Sequence, residues 1–212
     1  MNAPDILIAT HAFVEALEGL GIGYFIGGSV ASSIHGLPRS TLDVDLVADL
    51  HAEHIQPLVQ QLQGGFYIDA DMVREAVDHQ SSFNVIHLDT MIKLDVFMLK
   101  STPYDQGAFA RAQERTLGLE HEGREFRFAS AEDIILHKLS WYKLGGQVSE
   151  RQWNDVLGVL RVQTTALNQE YMKQWASTLQ LSPLLQRALE DAGLSSGLPN
   201  EQSGQGYGGE AV

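Results

Sequence analysis

Residues 24–46 read YFIGGSVASSIHGLPRSTLDVDL, and their reading decides the fold. Ile22, Tyr24, Phe25 and Ile26 form a β-prone apolar run that stops at Gly27-Gly28. The next residues, Ser29 to His35, suit a helix with Ser29 at its start. A strand, a glycine turn and a helix N-terminus make a phosphate cradle, because unpaired N–H groups and the positive end of the helix dipole meet where no Cβ blocks approach. After the turn at Gly36-Leu37-Pro38, the run from Leu42 to Val47 alternates acid and aliphatic. Asp43 and Asp45 therefore share one strand face, roughly 6.5–7 Å apart at Cα, a spacing that lets two carboxylates grip one or two divalent cations.

Upstream, Ile6, Ala9, Phe13, Ala16, Leu17 and Leu20 form a helical stripe ended by Gly21. Downstream, residues 52–62 and 70–78 read as helices, and Phe66-Tyr67-Ile68 as a short strand. FNVIHL (83–88) and IKLDVFML (92–99) read as an antiparallel strand pair. In the second of these, Ile92, Leu94, Val96 and Met98 take one face, and Lys93, Asp95 and Phe97 the other. A charged residue in such a run needs a partner or a job: Asp95 either pairs with Lys93 or joins Asp43 and Asp45 as a third ligand. Residues 114–128 read as a hairpin around His121-Glu122-Gly123. Beyond it the chain turns helical: Ser130 with Asp133, and Ser149 with Gln152, carry capping signatures, and two more helices cover 168–179 and 183–192. The expected architecture is α+β: a mixed sheet flanked by helices over 1–129, a helical bundle over 130–194, and a disordered glycine- and serine-rich tail over 195–212.

Composition narrows the function. The net charge of −13 disfavours a protein that coats nucleic acid nonspecifically. Arg111, Arg115, Arg124 and Arg127 could form a basic patch, although a solvated hairpin face is the simpler reading. The absence of cysteine excludes disulfides and thiolate sites. No run approaches the roughly 20 apolar residues of a membrane span, and no basic region precedes the first apolar residues, so a cytoplasmic protein is expected.

Three carboxylates on strands beside a glycine-serine turn suit a metal-bound triphosphate. Magnesium prefers oxygen ligands and phosphates, and a two-ion site can activate a hydroxyl while stabilising leaving pyrophosphate. The reaction would be nucleotidyl transfer, with Asp43, Asp45 and Asp95 holding metal and Asp95 also a candidate base. Gly27, Gly28 and Ser29 would hold the phosphates, and Arg39 and Lys138 would neutralise their charge. Each has a plainer reading. Arg39 could be exposed in its turn, Lys138 could lay its stem along a helix flank, and Thr41 suits the turn better than the nucleotide. Asp133 and Asp155 read as caps or ion-pair partners, His35 as a helix-end and His137 as a core-edge residue. Trp141, Trp153 and Trp175 read as core packing.

Gly27-Gly28-Ser29, Asp43-Val44-Asp45 fourteen residues on, and Asp95 in an apolar strand together resemble the DNA polymerase β-type nucleotidyltransferase superfamily. HGLPRSTLDVDL with ASAEDIILHKLSWY and RQWNDVLGVL is similar to its bacterial abortive-infection and toxin–antitoxin members, over roughly residues 5–162. The resemblance implies a minimal catalytic sheet with C-terminal helices, Mg²⁺, a nucleoside triphosphate, and Lys138 reaching the triphosphate from the helical part. It also implies a hydroxyl acceptor on tRNA or other RNA, protein or a small molecule, with an antitoxin as a candidate partner. The alternatives are nucleotidylation of an aminoglycoside-type molecule, which an acidic surface suits, and a nucleotide-binding protein of the same fold without turnover.

Overall fold

The computed structural model describes residues 3–41, 43–117 and 124–194. In chain order the elements are α1 (Ala3–Gly19), β1 (Tyr24–Ile26), α2 (Gly28–His35), β2 (Asp43–Ala48), α3 (Ile55–Leu62), β3 (Phe66–Tyr67), α4 (Ala70–Asp78), β4 (Ser82–His87) and β5 (Lys93–Met98). They continue as α5 (Pro103–Ala110), β6 (Gln113–Leu117), β7 (Arg124–Phe128), α6 (Ala131–Leu144), α7 (Glu150–Gln163), α8 (Gln169–Thr178) and α9 (Ser182–Asp191).

Among the described residues the strands form one seven-stranded mixed sheet in the order β3-β4-β5-β2-β1-β7-β6. The α+β architecture read from the sequence is the observed one. β2 pairs antiparallel with β1 and parallel with β5, and this second pairing sets Asp45 beside Asp95 and Asp43 beside Lys93. Alternation along β2 sends Val44, Leu46 and Ala48 into the core and leaves Asp43, Asp45 and Val47 half-buried on the other face. β5 repeats the pattern, burying Leu94, Val96 and Met98 and leaving Lys93, Asp95 and Phe97 on the face that carries the acids of β2.

α1, α3 and α4 pack together along the sheet, whereas α6 and α7 pack on each other and on α2. One apolar core links both groups, from Phe13 and Leu17 of α1 to Leu185 and Leu189 of α9. The junction of α2 with α7 is backbone against backbone. A Cβ on Gly36 would meet the Val159 N at 2.7 Å and the Gly158 C and Ser32 O at 2.9 Å. Main chain cannot swing aside as a side chain can, so Gly36→Ala is expected to destabilise by about 1–3 kcal/mol in urea unfolding. Because α2 carries the glycine turn, the same change should loosen the site.

The sequence reading needs four corrections. α2 begins at Gly28 with Gly27 at its N-cap, so Ser29 lies inside the helix and caps nothing. Residues 52–54 form a 3-10 turn ahead of α3. α5 has no counterpart in the sequence reading, although Thr102 caps it through Asp105 N–H at 3.1 Å and Pro103 opens it. Trp141 is 54% exposed on α6 and does not pack in the core; of the others, Trp153 is buried and Trp175 packs at the core's margin. The loop at His121-Glu122-Gly123 and the tail from 195 lie outside the described residues.

Candidate active site

The glycine turn and the acids of β2 meet directly. Gly28 sits at φ +53°, in the left-handed region, and a Cβ there would overlap the Asp45 carboxylate. A glycine is thus required on both counts. The Ser29 backbone at the start of α2 favours the ionised form of the Asp45 carboxylate. Burial raises the Asp45 pKa above the ordinary carboxylate value, and the charges of Asp43 and Asp95 raise it further. Asp43 is steadied from behind: Thr41 donates its Oγ1 proton to Asp43 Oδ1 at 2.9 Å.

Asp95 is paired with its own strand's lysine, its Oδ2 lying 2.7 Å from Lys93 Nζ. Among the described residues no three carboxylate or imidazole side chains converge on one metal position as they stand. The donor chemistry nonetheless fits a hard divalent cation: Asp45 and Asp95 are paired across β2 and β5, and Asp43 lies one pleat along.

Arg39 and Lys138 are joined by an acid. Arg39 Nε and Nη2 donate to Asp155 Oδ1 and Oδ2 at 2.8 and 2.9 Å, a bidentate clasp across 116 residues of sequence. Lys138 Nζ donates to Asp155 Oδ2 at 2.7 Å. A second Nη2 bond from Arg39 reaches Ser29 Oγ, so the guanidinium touches the cradle itself. Burial raises the Asp155 pKa, but the hydrogen bonds from Arg39 and Lys138 outweigh it and hold the carboxyl below its usual range. Asp155 therefore serves as an ion-pair partner, as read, yet its place beside the cradle was not legible. Lys138 is buried, and its ammonium is fixed by Asp155 rather than lying along the helix flank.

Beside the cradle opens a cleft of about 360 Å³. Gly27, Gly28, Ser29, Asp45 and Lys138 line one part of it, and Phe97 and Trp141, with ring centroids 6.1 Å apart, line another. His137 also lines the cleft, its ring stacked 6.4 Å from Phe25 and edge-on to Tyr104. Burial lowers the His137 pKa, so the ring is a neutral wall at pH 7. His35 is likewise buried, with Nε2 bonded to the Ala129 carbonyl at 2.8 Å. Phe97 could have been found from the sequence, two residues past Asp95 on the same strand face.

The four arginines of the hairpin region do not pool their charge. Arg111 pairs with Glu132 and Asp133, Arg124 with Glu18, Arg127 donates to the Phe109 carbonyl and Arg115 to Gln113. Among the described residues no helix is long and apolar enough to cross a membrane.

The chain is similar in structure to ANT(2'')-Ia, an antibiotic-resistance factor. One structure of that factor, in solution, matches with a TM-score of 0.50 and 17% identity over 86% of this chain and 95% of that one. A crystal structure in complex with adenylyl-2''-tobramycin matches with a TM-score of 0.50 and 19% identity over 84% and 98%. An antigenic nucleotidyltransferase-like protein from Paracoccidioides brasiliensis aligns with a TM-score of 0.48 and 22% identity over 85% and 91%. No protein-family model and no curated protein sequence matches the chain. At these identities the likeness shows a common fold.

Proposed function

We propose that the chain is a Mg²⁺-dependent nucleotidyltransferase that moves an NMP from an NTP to a hydroxyl acceptor. The observation that carries this reading is the contact between the glycine turn and Asp45, with Asp95 in register beside it. An anion cradle touching a carboxylate is self-defeating for either ligand alone, because each repels the other's partner. It suits a phosphate chain and cations bound together.

The residues divide the work. Asp43, Asp45 and Asp95 would hold magnesium, which when bound neutralises the triphosphate and polarises its α-phosphorus. The Gly27, Gly28 and Ser29 backbone would receive phosphate oxygens, with Arg39 and Lys138 against the departing charge. The acceptor hydroxyl gives its proton to Asp95 as its oxygen bonds the α-phosphorus, and the bond to pyrophosphate breaks.

For the acceptor, a small molecule is favoured over RNA. Among the described residues the four arginines of the hairpin region are individually paired, and the net charge of −13 further disfavours a phosphate backbone. The likeness to a factor crystallised with an adenylylated aminoglycoside points the same way. The toxin reading, with tRNA or protein as acceptor, is the competitor. Incubation with each labelled NTP, Mg²⁺ and, separately, aminoglycosides, total tRNA and cell lysate decides among them. Label on a small amine-rich sugar supports the first reading and label on tRNA the second. NTP binding without label on any acceptor would leave a nucleotide-binding protein without turnover.

A further inference from the structure

Lys93 is the cation that the sheet places among the three aspartates. It lies directly opposite Asp43 in the parallel register of β2 and β5, two residues before Asp95 and on the same sheet face as all three aspartates. Its ammonium is 2.7 Å from Asp95 Oδ2, and Asp43 and Asp45 are near enough to act on its charge. Asp95 is the half-buried member of this pair; the lysine side chain is 44% exposed and has room to leave. No other cation donates a hydrogen bond to Asp43, Asp45 or Asp95 among the described residues, since Arg39 and Lys138 are spent on Asp155.

We propose that Lys93 is a resident counter-cation of the carboxylate cluster: its ammonium holds Asp95 in the metal-free protein, and a divalent ion must displace it to recruit Asp95. The inference rests on the nucleotidyltransferase reading and adds a positioning residue to it. Three carboxylates on neighbouring strands repel one another, and like charges placed side by side in a sheet cost stability. A lysine in their midst lets the strands pair without metal. Its cost is a weaker hold on the ion, because the same ammonium competes for Asp95. Displaced, the long side chain swings toward solvent and leaves Asp95 free to turn toward Asp45.

The test is Mn²⁺ binding, followed by electron paramagnetic resonance on the full chain without nucleotide. Lys93→Met keeps the apolar stem and removes the charge. It is expected to bind Mn²⁺ about fivefold more tightly than the unaltered protein, the upper scale of a partly exposed ion pair. Its melting temperature without metal should fall and should recover when Mn²⁺ is added. The gain in affinity should vanish when Lys93→Met is placed in an Asp95→Asn background, because the competition runs through that carboxylate. Lys93→Arg, which keeps the charge, should bind Mn²⁺ as the unaltered protein does. Unchanged affinity in Lys93→Met overturns the proposal, and so does an equal gain in the Asp95→Asn background, which would make Lys93 a diffuse positive field. Unaltered protein that takes up no Mn²⁺, with Lys93→Met equally inert, overturns the metal reading beneath it.

Discussion

Asp45→Asn should lose nucleotidyl transfer by about three orders of magnitude, the scale of several kcal/mol of transition-state charge stabilisation, while the protein melts no earlier than before. The two halves of this result have one cause. Asp45 is pressed against Gly28 and shares its face with Asp43 and Asp95, so burial and then those charges raise its pKa. A folded-state pKa above the unfolded value means that the fold favours the protonated form. The stability this group contributes is complete below the unfolded value of about 3.9 and is lost as pH rises through the folded value. Above the folded value the ionised carboxylate is therefore a cost to the fold. Asparagine removes it and keeps the volume. Calorimetry at pH 7 should show the variant at or above the unaltered protein, with the gap closing toward pH 4. A variant that is inactive and also melts several degrees lower would make Asp45 a structural residue.

Asp155→Asn should do the reverse and cost stability first. Lys138 is buried, the half-buried Asp155 lies 2.7 Å from it, and Arg39 completes the cluster. An amide leaves the buried ammonium without its counter-charge, which costs about 3 kcal/mol in urea unfolding at pH 7. The pH dependence again follows from the sign. The Asp155 pKa is lowered in the folded state because its two cations outweigh its burial. Its contribution is present above the unfolded value of about 3.9 and is lost as pH falls through the folded one, so variant and unaltered protein should converge in acid. Transfer should fall as well, since Arg39 loses the clasp that holds it against Ser29. Full stability in Asp155→Asn would mean that Lys138 is buried uncharged.

Much of this site was legible in the sequence because it is local. Period-two alternation put Asp43 with Asp45 and Lys93 with Asp95 on single faces, and the strand, glycine pair and helix of residues 24–35 needed only neighbouring residues to be read. What failed was long-range or depended on a helix face. Periodicity marks the apolar side of α6 but not where its covering ends, so Trp141 looked like core and is half open at the cleft. Asp155 could be read as someone's partner, but 116 positions separate it from Arg39, and no spacing names the cation it serves. Ser29 looked like an N-cap because serine favours that place. The cap went to Gly27 because a left-handed Gly28 lets the helix start against Asp45. The helix α5 was the avoidable omission, for Thr102-Pro103 followed by Asp105 is a start signal in plain view.

The parallel pairing of β2 with β5 carries a consequence for the order of folding. Residues 45 and 95 are far apart in the chain, whereas β4 with β5 and β6 with β7 are joined by short connections. Loop-closure entropy favours the local pairs first and delays the parallel pairings, that of β2 with β5, which assembles the acids, and that of β1 with β7, which joins Ile26 to Phe128. The later pairing of β2 with β5 brings like charges together. The Lys93 ammonium beside Asp95 offsets part of that repulsion, so the pairing that assembles the acids brings its own counter-charge with it.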